Sequence, residues 1–107
     1  MEDEKIIDLY WERKENAIAE TSLKYGGYCS AIARRILQYK EDVEECINDT
    51  WLHTWNAIPP HRPVKFQLFL GKITRELSLD RYRVMVASKR GGGEINLVFE
   101  ELEETVS

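Results

Sequence analysis

The chain has 107 residues, 43% of them hydrophobic, and carries 15 Lys+Arg against 19 Asp+Glu for a net charge of −4. That is enough for one domain with its own core and too little for two. Its longest apolar run, "VMVA" at 84–87, falls far short of the ~20 residues of a membrane span, and the acidic "MEDEK" start is no secretory signal, so no membrane is involved and a cytoplasmic protein is expected.

Hydrophobic periodicity is helical almost throughout, without repeats or low-complexity tracts. It predicts an all-α fold, a small bundle of three to four helices. In "EDEKIIDLYWERKENAIAE", Ile6, Leu9, Tyr10 and Ala17 keep helical spacing, with a break near Arg13 into a short helix and a second start. From Glu20 the stripe Tyr25, Cys29, Ile32, Ile36 describes one buried face running to about Leu37. Gly26 and Gly27 weaken that helix by roughly 1 kcal/mol each relative to alanine.

After the connection "QYKED", Asp42 with Glu45 three residues on marks a helix start rich in acids, and the helix runs from 42 to about 58. At ~100° per residue, Ile47, Trp51, Trp55 and Ile58 share one sector, and Asp42, Glu45, Asp49, His53 and Asn56 lie opposite. The tryptophans are therefore expected in the core. Three prolines in "IPPHRP" end the helix and make a stiff, basic loop. A last helix starts near Lys65, with Phe66, Leu70, Ile73, Leu77 and Val84 as its apolar face and Lys65, Lys72, Arg75 and Arg83 on another side. It should fade before "KRGGGE". Beyond, "EINLVFEELEETVS" alternates like a strand at Ile95, Leu97 and Phe99, yet spaces Val98, Leu102 and Val106 like a helix; it reads as an irregular acidic linker.

Charge is segregated along the chain. Residues 1–59 hold 7 Lys+Arg against 12 Asp+Glu, residues 60–90 hold 8 against 2, and residues 91–107 hold 0 against 5. A basic block between acidic ones points to two differently charged partners, one of them a polyanion. The basic block also carries His61, Arg62, Phe69 and Tyr82, and charge beside aromatic surfaces suits a single nucleic-acid strand. A merely solvated helix face, or a helical adaptor whose basic side meets an acidic protein, fits the same residues. No phosphate loop, metal-binding histidine pair or nucleophile elbow is present, and Asp49 with His53 reads more simply as an exposed helix pair than as an acid/base couple. Cys29 and Cys46 read as reduced buried thiols. A zinc site of Cys46, His53 and His61 is disfavoured, because Cys46 and His53 lie two turns, about 10 Å, apart.

The order "EDVEECINDTWLHTW", proline loop, "FQLFLGKITRELSLDRYR" resembles the second conserved region of bacterial sigma factors of the extracytoplasmic-function type, over residues from about 6 to 90. Asp42, Glu44, Glu45, Asn48, Asp49, Trp51 and Trp55 stand where that family has acid, acid, acid, amide, acid, aromatic and tryptophan. Phe66, Phe69, Leu70, Ile73, Arg75, Leu77, Asp80 and Arg83 fall on its second motif.

The resemblance implies a non-enzymatic module, needing no cofactor, with residues 1–90 as the region 2 domain and 91–107 as interdomain linker. It implies that Glu45, Asn48 and Asp49, with Leu52 as an apolar anchor, bind the clamp helices of the largest RNA polymerase subunit. It further implies that Arg62, Lys65, Lys72, Arg75 and Arg83 hold phosphates of the non-template strand at the minus-ten promoter element, where a base is flipped into a pocket near the loop, with Phe69 as a core or pocket-wall residue. An anti-sigma factor is a further possible partner. Two positions depart from the pattern: Glu76 replaces a frequent asparagine beside the DNA path, open to pairing with Lys72, and Phe69 replaces a frequent tryptophan. The family's helix-turn-helix domain has no counterpart after "KRGGGE", so a piece of a longer protein is expected.

Overall fold

A computed structural model describes residues 1–89, with side chains to residue 87. Among these residues the chain forms α1 (Asp3–Trp11), α2 (Asn16–Ile36), α3 (Lys40–Ala57) and α4 (Phe66–Lys89), without a strand. Helices α2, α3 and α4 pack each on the other two, and α1 lies against α2. The fold is the expected all-α bundle. The tail at 91–107, with its strand-or-helix ambiguity, lies outside the described residues.

The break near Arg13 is a tight helix stop. Lys14 N–H donates to Leu9 O and Arg13 N–H to Tyr10 O, with Arg13 at φ 57°. This is the Schellman arrangement, with the left-handed position held by an arginine where glycine is usual. It turns the chain so that Ile6, Ile7 and Tyr10 of α1 bury against Ala17 and Cys29 of α2, Trp51 of α3 and Phe66 and Leu70 of α4. Tyr10 sits edge-on to Phe66 at 6.2 Å and its hydroxyl meets Thr21 Oγ1 at 2.6 Å, so the phenol enters the core with a partner. Farther along the bundle, Ala33, Ile36, Leu37, Val43, Cys46 and Leu79 form a second cluster.

The seam between α3 and α4 departs from the apolar pattern. On α3 the buried line is Val43, Cys46, Thr50, Thr54, with Trp51 at 8% exposure and Trp55 only half-buried. The tryptophan sector is thus turned away from the centre of the interface. On α4, Thr74 and Ser78 are fully buried, Ile73 and Leu77 are half-buried, and Val84 is 69% exposed rather than part of the apolar face. Hydroxyls enter this seam because each threonine donates to the carbonyl four residues back: Thr50 to Cys46 at 2.8 Å, Thr54 to Thr50 at 2.8 Å, Thr74 to Leu70 at 3.0 Å. Across it Thr50 Oγ1 meets Thr74 Oγ1 at 3.1 Å and Cys46 Sγ meets Ser78 Oγ at 3.0 Å. Gly71 keeps α2 and α4 close, since a Cβ there would stand 2.6 Å from Tyr28 Oη. No described helix is long and apolar enough to cross a membrane.

Candidate functional site

Because α3 buries the line through Cys46, Thr50 and Thr54, its opposite side must face water, and Glu45, Asn48, Asp49 and Leu52 all lie there, exposed. Positions 45, 48, 49 and 52 follow one another by three, one and three residues and so form a single stripe two turns long. Leu52, 56% exposed, is an apolar side chain with polar neighbours on its own face. Beside this stripe an open groove of about 630 Å³ runs between α2 and α3, walled by Arg34, Lys40, Asn48, Leu37, Ile47 and Trp51.

The stripe is tied to α4 by Arg81, a residue with no role in the sequence reading. Its Nε donates to Asp42 Oδ1 at 3.0 Å and its Nη2 to Glu45 Oε1. The Asp42 hydrogen bond raises the Arg81 pKa above its ordinary value, against a smaller opposing effect of burial. Glu45 therefore enters any contact already paired, whereas no described ion pair engages Asp49. Nothing local announces the bridge, because Arg81 and Glu45 are 36 positions apart.

The basic candidates divide into several settings. Lys65 and Lys72 are exposed, and no described ion pair engages either, including the Lys72–Glu76 pair left open by the sequence. Arg62 donates to Asp8 of α1 at 2.5 Å, and Arg83 to Asp80 at 3.0 Å. Arg75 is half-buried and lines, with Glu76, Leu79, Asp80 and Arg83, an open hollow of about 370 Å³. The outer side of α4 thus alternates cations with Glu76 and Asp80, and is not a uniformly positive track. Phe69, half-buried, faces His61 of the proline loop with ring centroids 6.5 Å apart. Val64, 98% exposed, and Leu68, 59% exposed, flank the start of the same helix, and the sequence reading passed over both.

Other candidate chemistry does not converge. Asp49 and His53 both lie on the exposed outer face of α3, outside the hollows described. Cys46 is buried against Ser78 while His53 is exposed, and no group of three His, Cys, Asp or Glu able to hold a metal ion occurs among the described residues. Burial pushes both the Cys29 and the Cys46 thiols up, which keeps them protonated and unreactive.

A family model described as Sigma-70 region 2 matches residues 23–84, more than half of the chain. The span runs from within α2 to within α4 and takes in every α3, loop and α4 candidate above. No curated protein and no solved structure matches the chain significantly.

Proposed function

Since the chain belongs to the sigma-70 region 2 family, a class of transcription-initiation domains and not of enzymes, we propose that it acts in the cytoplasm as the region 2 domain of an extracytoplasmic-function sigma factor. In this reading α3 docks on the clamp helices of the largest polymerase subunit, and α4 with the proline loop holds the non-template strand of the minus-ten element. Residues 1–90 are the domain, 91–107 lead toward a further domain, and an anti-sigma factor is the regulatory partner expected of the class.

One observation carries the polymerase half: Leu52 stands exposed in a stripe of Glu45, Asn48 and Asp49 on a helix whose far side is fully packed. An acidic stripe that ends in an exposed apolar side chain suits a basic, apolar partner surface, and a rigid helix meets it without ordering a loop. The DNA half is supported by Lys65 and Lys72, by Arg75 and Arg83 at the hollow, and by the His61–Phe69 ring pair, an aromatic surface on which an extruded base would stack. Base extrusion costs a few kcal/mol, which stacking on that surface must offset. Glu76, exposed on the same side, acts against phosphate and tunes base preference. Arg62 and Arg83 already hold carboxylates and Arg75 is half-buried, so these three shape the surface while the exposed Lys65 and Lys72 supply the new phosphate contacts; two contacts to a single strand give a slope of about −1.4 for log affinity against log salt.

The test reverses both lysines. Lys65→Glu with Lys72→Glu should weaken binding to a minus-ten single strand over its scramble, and leave binding to a clamp-helix fragment intact. Equal affinity of the unaltered protein for strand and scramble would favour the adaptor reading. Loss of both bindings together would refute the division of faces.

A further inference from the structure

Arg13 is the described non-glycine residue with a positive φ, 57°. It occupies the helix-stop position that glycine fills at least cost, so the sequence accepts an unfavourable backbone there in exchange for a side chain. That side chain leaves its own corner. The guanidinium lies 3.7 Å from the centre of the Trp55 ring, and Nη1 donates to Trp55 O at 3.0 Å and to Ile58 O at 2.7 Å. Both carbonyls belong to the end of α3, where helical partners run out and the helix dipole favours a cation. Helix α3 has no basic residue in its own last turn. Arg13 supplies it from 42 positions away.

The chain beyond Ile58 is the proline loop, with cis peptide bonds at Ile58–Pro59 and Pro59–Pro60. Its far half is tied to the same corner from the other direction, by Arg62 on Asp8 of α1. The Arg62–Asp8 pair is about half exposed on both sides and contributes little by itself. Arg13 combines ring stacking with two hydrogen bonds to helix-end carbonyls, so it is the stronger of the two ties. Asp8 and Arg13 both precede residues 23–84, the span that the family model matches.

We infer that the α1–α2 corner fixes the shape of the 58–65 loop, with Arg13 as the main positioning residue and Asp8 as the lesser one. The corner thereby sets the affinity of the loop and the start of α4 for a nucleic-acid strand without touching the strand. The strand half of this statement rests on the function proposed above; the loop half stands on geometry alone.

The experiment uses the full chain with Arg13→Gly, Arg13→Lys and Asp8→Asn. Arg13→Gly suits the left-handed turn, so α1 stays in place and thermal unfolding should stay close to that of the unaltered protein. Amide exchange at Ile58 and His61, whose N–H groups donate to Thr54 O and Ala57 O, should quicken about tenfold, and affinity for the minus-ten single strand should fall about tenfold, as expected for losing charge-assisted bonds at a helix end. Binding to the clamp-helix fragment should not change. Arg13→Lys, which keeps the cation without the planar stack, should recover part of both losses, and Asp8→Asn should reproduce a small part of them. Unchanged exchange in Arg13→Gly would overturn the inference, and so would faster exchange with unchanged strand affinity. If the unaltered protein shows no strand preference, the functional reading fails, and the loop-anchoring statement is decided by exchange alone.

Discussion

Replacing Arg81 by methionine, which keeps most of the stem and removes the charge, tests how the two interaction faces are joined. Two bonds are lost, and they differ in worth. The Glu45 carboxylate is 65% exposed, so water replaces the guanidinium and that bond contributes almost nothing. Asp42 is 23% exposed and Arg81 32%, so this second bond is partly shielded and contributes roughly 1–2 kcal/mol as a charge-assisted pair. Its loss also frees Asp42 and Glu45, three positions apart on one helix, to repel by about 0.2–0.5 kcal/mol. Arg81→Met should therefore destabilise the fold by roughly 1–2 kcal/mol, lowering the melting temperature by roughly 5–15 °C for a domain of this size. Denaturant unfolding in a double-mutant cycle apportions the two bonds: Arg81 with Asp42→Asn should couple by about 1 kcal/mol, and Arg81 with Glu45→Gln by less than about 0.3 kcal/mol. Larger coupling to Glu45 than to Asp42, or full additivity in both cycles, would refute the reasoning from exposure.

The glycines of α2 and α4 should respond in opposite directions. Gly27 has nothing within 4 Å of a would-be Cβ, so Gly27→Ala should stabilise the protein by up to about 1 kcal/mol in denaturant unfolding. Gly71→Ala should destabilise it, because the new methyl meets Tyr28 Oη at 2.6 Å and forces the ring aside. Acid should loosen α1 through Asp3. Desolvation raises its pKa, but hydrogen bonds from Lys24 and Tyr25 outweigh that and bring it below 3.8. A lowered folded pKa means that the stabilisation is fully present above about pH 4 and disappears as pH falls through the folded value. Tyr25, pushed above 10.0 by desolvation and by its bond to Asp3, sets the other edge: its contribution is present below pH 10 and lost as pH rises through the raised value. Asp3→Asn should remove the acid edge and reduce, without abolishing, the alkaline one, because desolvation of Tyr25 remains, in melting curves taken across pH.

What the sequence made legible was local. The break at Arg13, the proline-loop stop after α3 and the outward side of α3 at Glu45 and Asp49 follow from spacing within one helix or turn, whereas Asn48 and Leu52 come from the family resemblance alone. The α3–α4 seam did not, because a hydropathy wheel counts Thr50, Thr54, Thr74 and Ser78 as polar. A threonine bonded to its own i−4 carbonyl presents a methyl and a satisfied oxygen, and packs as a small core residue. The tryptophans, larger and more hydrophobic, drew the predicted core sector toward themselves, while the helices needed small side chains at their closest approach. Val84 falls off the buried side of α4, which runs through Leu70, Thr74 and Ser78 to the half-buried Tyr82 and Met85. The arginines were least legible of all: Arg13 to Trp55, Arg81 to Asp42 and Arg62 to Asp8 span 42, 39 and 54 positions. Tertiary pairs of that separation leave no local pattern, so a basic residue destined for a helix end looks the same as one destined for phosphate.

The central claim is that the exposed stripe of α3 is a docking surface and not a solubilising one. Asp49 tests it most directly, being exposed and engaged by no described ion pair. Titrating the full chain with a fragment of the polymerase clamp helices, the account predicts that Asp49→Arg lowers affinity by about 100-fold while the melting temperature stays within about 2 °C. Unchanged affinity in a normally folded Asp49→Arg protein would contradict it.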